Sequence, residues 1–280
     1  MKLKNKFYER IMAMLCWSAA LSSVLALLFI VGFILVKGLP HIKPSLFSAA
    51  YSSDNVSLMP ALVSTIIMTF MSILLAVPLG MFAAIYLVEY AGRGTLRANK
   101  SVMLIRITAE TLSGIPSIVY GLFGLLFFVS FLDWKFSMLA GAFTLAIMIL
   151  PLIMRSSEEA LLAVPDMYRE GAFGLGAGKL RTVFRIVLPS AMPGILAGII
   201  LATGRIVGET AALVYTAGTV AQIPKNPMQS ARTLSVHMYA LSGEGLHVNE
   251  GYATAVVLLV MVIILNIASA KSAKKLAGGA

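Results

Sequence analysis

The sequence predicts an all-α integral membrane protein with six transmembrane helices. Hydrophobic residues make up 59% of the 280 and charged residues only 12%, with a mean hydropathy of +0.91. A soluble domain carries about 25% charged residues, so this composition belongs in a bilayer. Six apolar runs reach the roughly 17–25 residues needed to cross one. The Lys and Arg residues cluster between those runs, mostly on one side.

Residues 1–36 hold a basic start, with Lys2, Lys4, Lys6 and Arg10, and an apolar run from residue 11. That run exceeds the roughly 7–15 apolar residues of a signal peptide and reads as an uncleaved first span. Residues 37–59 are polar, with several Pro and Ser, and form an outer loop. The second span covers 60–88, with Pro78 and Gly80 as kinks that membrane helices tolerate. Glu89 closes it, and Gly92, Arg93, Gly94, Arg97 and Lys100 make an inner turn. The third span covers 107–131. Arg106 and Glu110 at its start are four apart, so they share a helix face and pair. Pro116 kinks this span, while Gly121 and Gly124 admit another helix at close range.

Asp133 and Trp134 mark a short outer turn, with Trp suited to the interface. The fourth span covers 138–154, the fifth 194–216 and the sixth 252–270. Between the last two lies an outer segment, 217–251, whose 230–241 stretch reads as a short amphipathic helix capped by Ser230. Residues 60–270 thus form a five-span core behind the first helix. Lys271, Lys274 and Lys275 occupy the tail, 271–280. With this layout, 16 of the 22 Lys and Arg fall in one set of loops and 5 in the other. That bias places both termini inside the cell.

The polar stretch 155–189 carries the most specific pattern. It reads Tyr168-Arg169-Glu170-Gly171-Ala172-Phe173-Gly174-Leu175-Gly176, and nine residues later Ile186-Val187-Leu188-Pro189. Asp166, after Pro165, reads as the N-cap of a short helix. Gly174, Gly176 and Gly178 break that helix, and the chain resumes with Lys179, Arg181 and Arg185, a basic set suited to anionic headgroups. The spacing resembles the EAA loop of ABC importer permeases, which runs Glu-Ala-Ala, three residues, Gly, nine residues, Ile-x-Leu-Pro. Gly171 departs from it, standing where Ala is usual. The resemblance implies a type I ABC importer (MetI-like) permease fold. It also makes this loop, with Glu170, Gly171, Ala172, Gly176, Ile186, Leu188 and Pro189, a coupling helix that docks on a separate ATPase.

The fifth span contains Arg205, with Glu209 one turn later. A mid-bilayer Arg costs roughly 2.5–3.5 kcal/mol, so such a residue faces a bundle interior or a wet pathway. Its planar fork suits a tetrahedral oxyanion. The plain alternative is a neutral Arg205–Glu209 pair that locks packing. Gly204 and Gly208 leave room beside the pair, and Thr203 and Thr210 add hydroxyls. Arg155 is a further candidate for anion contact. Two stretches, Gly114-Ile115-Pro116-Ser117-Ile118-Val119-Tyr120-Gly121-Leu122-Phe123 and Arg205 through Gly208-Glu209-Thr210, resemble phosphate importer permeases of the PstA type. In that family the Arg of the fifth span is implicated in passing phosphate.

An importer needs an energy source, and this chain has none of its own. Phe173 to Leu180 superficially looks like a P-loop, yet Phe173 replaces the first Gly and Leu180 the Ser/Thr that binds magnesium. ATP and magnesium are therefore expected on a partner, with no cofactor and no metal on this chain and no catalysis by it. Cys16 is the one cysteine, and His41, His237 and His247 have no metal-ligand spacing. The resemblance implies three partners: a second permease (PstC-like), an ATPase dimer (PstB-like) and an extracytoplasmic phosphate-binding protein (PstS-like). No role for nucleic acid is expected, because the charge lies at span ends. Two rivals stand beside this reading. One keeps the machine and changes the cargo to sulfate, molybdate or phosphonate. The other is an ion-coupled secondary transporter, which is expected to show paired discontinuous helices that the sequence does not reveal.

Overall fold

Long aliphatic runs close their own backbone hydrogen bonds as helices, which is what a bilayer demands. A computed structural model of the chain describes residues 2–91 and 100–277. Among the described residues every regular element is helical. The long helices are α1 (Lys2–Gly38), α2 (Met59–Ile85), α3 (Lys100–Ser113), α4 (Ser117–Gly124) and α5 (Met138–Leu162). Then come α6 (Asp166–Gly174), α7 (Lys179–Thr182), α8 (Leu188–Val207), α9 (Ala211–Val214), α10 (Leu234–Glu244) and α11 (Val248–Ala277). Wider π-helical turns extend α2 through Tyr86–Tyr90 and α4 through Leu125–Phe131, and join α7 to α8 through Val183–Val187.

Among the described residues five helices are long and apolar enough to cross a membrane: Tyr8–His41, Met59–Tyr90, Met138–Leu162, Lys179–Val207 and Val248–Ala268. The expected third span is a broken one. Val102–Ser113 and Ser117–Phe131 meet at 99°, far more than a kink. Proline disfavours helical backbone at the residue before it, and Gly114 adds freedom there, so the helix stops at Ser113 and restarts after Pro116. The Tyr120 hydroxyl donates to Leu112 O across the break at 2.7 Å.

Helix α5 is the hub, with 67% of its most apolar window buried. Against it lies a small-residue stripe of α2, Ser64, Ser72, Ala76, Gly80 and Ala84, all buried. A Cβ on Gly80 would sit 2.9 Å from Ile153 Cγ2, so the backbones approach closely. Helix α8 uses the same device, with Gly194 on Ala160 and Gly198 on Ser156 of α5. The central core joins Met68, Leu145, Met148, Ile149, Ile153, Ala202, Ile206 and Leu213. At one end, Leu87 and Val88 pack with Leu161, Val183, Val187 and Ile195 beneath α6 and α7. At the other, Leu46 and Leu58 pack with Leu234 and Ala253 near the start of α10 and α11. Helix α1 buries nothing of its apolar window and leans on α11, with Phe33 edge-on to Tyr252 at 5.8 Å.

Several boundaries move from their sequence positions. Helix α5 continues past Met154 and Arg155 to Leu162, because Arg155 pairs along its own helix instead of ending it. The fifth span starts at Lys179, ahead of Pro189, and ends at Val207, so it is offset toward the loop. The outer short helix is capped by Thr233, whose hydroxyl accepts from Val236 N at 3.5 Å, and not by Ser230. Ser230 donates instead to Ala217 O at 2.8 Å. Trp134 stacks on Phe128 at 5.3 Å and meets Phe143 edge-on at 5.4 Å, so it packs inside the turn. The inner turn around Gly92, Arg93, Gly94 and Arg97 lies outside the described residues.

Candidate functional site

The polar stretch folds as a helix, a glycine turn and a second helix. Pro165, not Asp166, takes the N-cap position of α6, and Asp166 is its first residue, 3.7 Å from Arg169 Nη1. Gly176 at φ +81° makes the turn, a conformation L side chains avoid. Ala177 N then returns to Ala172 O at 3.0 Å. Gly178 caps α7, and Lys179 Nζ sits 4.8 Å from the centre of the Tyr90 ring on the end of α2. The resulting face is apolar and open: Met167, Tyr168, Phe173, Leu180 and Phe184 are exposed, and Leu175 is 91% exposed. Glu170 and Gly171 lie exposed on α6, while Ala172 turns inward. Of the closing motif, Ile186, Leu188 and Pro189 are half-buried and the intervening Val187 is the one fully buried. The Phe173 to Leu180 stretch spans the end of α6 and the start of α7, a helical context that fits no phosphate-cradling loop after a strand.

Arg205 lies in the last turn of α8, not at mid-span, because Gly208 ends the helix three residues later. It is partly buried and lines an open cavity of about 730 Å³ between α5, α8 and α11. The other lining residues are Leu152, Ala197, Ile200, Leu201, Gly204 and Asn266. Gly204 has open space where a Cβ would stand, as the sequence reading required. Asn266 was not anticipated; its signal is a lone amide in an otherwise aliphatic run.

Glu209 does not continue α8 and forms no ion pair with Arg205 among the described residues. Its Oε1 accepts from Ala212 N at 3.1 Å and so caps α9, while its carbonyl accepts from Ser235 Oγ of α10 at 2.5 Å. The neutral Arg205–Glu209 packing pair is therefore absent, and the two residues stand on either side of a helix break. The Thr203 hydroxyl is committed to Ile199 O at 2.8 Å and is buried. Thr210, half-exposed, reaches Gly208 O at 3.5 Å. Among the described residues one span is bent, α3–α4, and it faces the break after α8 where the four-residue α9 begins. They meet: Gly121 of α4 lies directly on Ala212 of α9, and Gly124 on Thr144 and Thr216.

Arg155 belongs to a different cluster. It is exposed, with Nε 3.3 Å from Glu159 Oε1 and Nη1 3.6 Å from Glu110 Oε1. Beside it Arg106 pairs with Glu158, so Arg106 crosses to α5 in preference to the expected partner Glu110 on its own helix. These groups line a cavity of about 230 Å³ at the α3–α5 junction.

A second ionic feature lies beneath α6. Arg169 Nε and Nη2 both donate to Glu89 Oε1, at 3.0 and 2.7 Å, and both side chains are buried. Spacing along the chain gave no hint of this contact between residues eighty apart.

The family described as "Binding-protein-dependent transport system inner membrane component" matches residues 76–276. The chain belongs to this family. It is 36% identical over 217 residues to the probable ABC transporter permease protein YqgI of Bacillus subtilis, covering 71% of this chain and 72% of that one. It is 30% identical over 263 residues to the probable phosphate transport system permease protein PstA of Methanocaldococcus jannaschii, covering 92% and 90%. Among solved structures, the inward-facing MetNI methionine ABC transporter superposes with a TM-score of 0.60 at 20% identity, covering 78% of this chain and 94% of the other. The fold expected from the sequence, a MetI-like importer permease, is the one found. Within this family the chain is a multi-pass membrane component.

Proposed function

We propose that this chain is the PstA-type permease half of an ATP-driven phosphate importer. The observation that carries the reading is Arg205, a half-buried guanidinium on an open cavity beside an unobstructed Gly204. Five N–H donors in a rigid fork match the oxygens of a tetrahedral anion. The position also limits how tightly the anion is held. Arg205 sits where α8 ends, and the carbonyl end of a helix carries partial negative charge. That field favours the guanidinium and opposes its anion, so phosphate binds weakly enough to move on.

The cavity is open on one side, which fits a path completed by a second, PstC-like permease. The exposed apolar face of α6 and α7 supplies the surface for a PstB-like ATPase, where ATP and magnesium reside. At the other end, α10 and its flanking loops offer a docking surface for a PstS-like binding protein. In the proposed cycle the ATPase pushes α6, and the bundle halves rock so that the Arg205 cavity opens to alternate sides. ATP-driven uptake into vesicles carrying the purified complex tests this directly. Uptake of labelled phosphate, with sulfate, molybdate and phosphonate failing to compete, is expected. Full competition by one of them at equal concentration changes the cargo.

A further inference from the structure

Helix α6 has little to hold it. Of its nine residues only Arg169 and Ala172 are buried, and alanine offers one methyl group. Arg169 therefore forms the main attachment of α6 to the bundle. Its five N–H groups are all engaged. Nε and Nη2 donate to Glu89 Oε1 on the π-helical end of α2. Nη2 also donates to Leu161 O at 3.0 Å, in the last turn of α5. Nη1 donates to Val164 O at 2.9 Å and Pro165 O at 3.5 Å, in the link between α5 and α6. One side chain thus bridges α2, α5 and α6.

The chemistry of this bridge differs from that of an apolar contact. A hydrophobic plug would hold α6 equally well without the desolvation of two charges. A five-donor network instead fixes direction and length, because each hydrogen bond weakens steeply off its axis. The π-helical turn at Tyr86–Tyr90 sets the register that brings Glu89 inward, and such turns recur at functional positions. Asp166, the other carboxylate near Arg169, is exposed at 3.7 Å.

We propose that the Glu89–Arg169 pair is the transmission element that makes α6 move as one body with the ends of α2 and α5. The proposal rests on the reading of α6 as the ATPase-coupling helix. Both are positioning residues and touch no substrate. A force applied to α6 reaches α5, and through it α8, which carries Arg205, by way of this guanidinium.

The test uses the complete importer complex in vesicles. Phosphate imported per ATP hydrolysed is measured for the parent, Glu89→Gln, Arg169→Lys and the control Asp166→Asn. Glu89→Gln and Arg169→Lys are expected to keep the ATPase bound and basal hydrolysis intact, while the transport ratio falls by about tenfold or more. Asp166→Asn is expected to keep the parent ratio. An unchanged ratio in Glu89→Gln overturns the proposal, whereas a parent complex that imports no phosphate contradicts the functional reading alone. A second measurement leaves the pair intact. Spin labels at Gly171 on α6 and Phe82 on α2, in a Cys16→Ser background, report their separation with and without ATP. The separation is expected to hold within about 2 Å, and a larger change shows that α6 moves independently of α2.

Discussion

Two glycines of this chain are set in opposite surroundings, and replacing each by alanine gives opposite results. At Gly121 an added Cβ would lie 2.8 Å from Ala212 Cα and 3.3 Å from the carbonyl oxygens of Ala211 and Ala212. Ordinary carbon contacts lie at about 3.5–4.0 Å, so α4 and α9 must separate by about 1 Å. All three obstructing atoms are backbone, and no rotamer change relieves them. Overpacking of this kind costs about 1–3 kcal/mol, and the intrinsic helix gain of alanine over glycine returns about 0.5–1. The net expectation is a loss of up to about 2.5 kcal/mol. The shift also disturbs Ala212 N, which donates to the Glu209 cap. At Gly171, on the exposed face of α6, nothing lies within 4 Å of the added Cβ. Gly171→Ala is expected to be neutral or to stabilise by up to about 1 kcal/mol. Thermal unfolding of the two purified variants in one detergent decides the matter. A Gly121→Ala protein as stable as Gly171→Ala would refute the close α4–α9 approach.

Other consequences follow from single side chains. Arg205→Lys keeps the charge and loses the fork, so uptake falls, and Arg205→Ala lowers it further. Each charge-assisted hydrogen bond lost at the rate-limiting step is about 1.5–3 kcal/mol, or roughly 10–150-fold in initial uptake rate. Leu175→Glu, at a 91% exposed position, is expected to leave the thermal midpoint unchanged and to abolish co-purification of an ATPase. Glu209→Ala removes the α9 cap and costs about 0.5–2 kcal/mol, while Glu209→Gln keeps an acceptor oxygen and is milder; the thermal midpoints of the two give the order. His237, in α10 outside the spans, is pulled down to about 4 by burial, with a further push from the Arg232 guanidinium. Its unfolded form takes up a proton near pH 6.5 while the folded form does not. Stability is therefore level above about 6.5 and falls as pH drops towards 4, by up to about 3 kcal/mol. His237→Phe is expected to flatten that slope in melts run across the same pH range.

What the sequence revealed, and what it hid, divides by distance along the chain. The spans are a property of local hydropathy, and five of the six match helices among the described residues that are long and apolar enough to cross a membrane. The α6 turn is local too, and Gly174, Gly176 and Gly178 placed it correctly, with Gly176 at φ +81°. Gly121 and Gly124 were read as close-approach positions, which the α4–α9 and α4–α5 packing bears out. The third span was misjudged because Pro in an apolar run permits either a kink or a break. Packing of α4 on α9 selects the break, and that partner lies some ninety residues away. The same holds for charges. The i,i+4 rule joined Arg106 to Glu110, but the partner supplied by α5, Glu158, wins. Arg205 was singled out by its isolation among apolar residues, and it lines the open cavity between α5, α8 and α11. Its place at a helix end depends on Gly208, which was read only as a space-maker.

The most direct test of the account is labelled phosphate uptake at low concentration in cells lacking this chain. The strain is compared with strains restored by the parent sequence, by Arg205→Ala and by Glu170→Lys. The account predicts that only the parent restores uptake, that Arg205→Ala still co-purifies an ATPase, and that Glu170→Lys does not. Phosphate uptake that is restored equally by Arg205→Ala, or that persists when ATP is depleted and the proton gradient is intact, would contradict it.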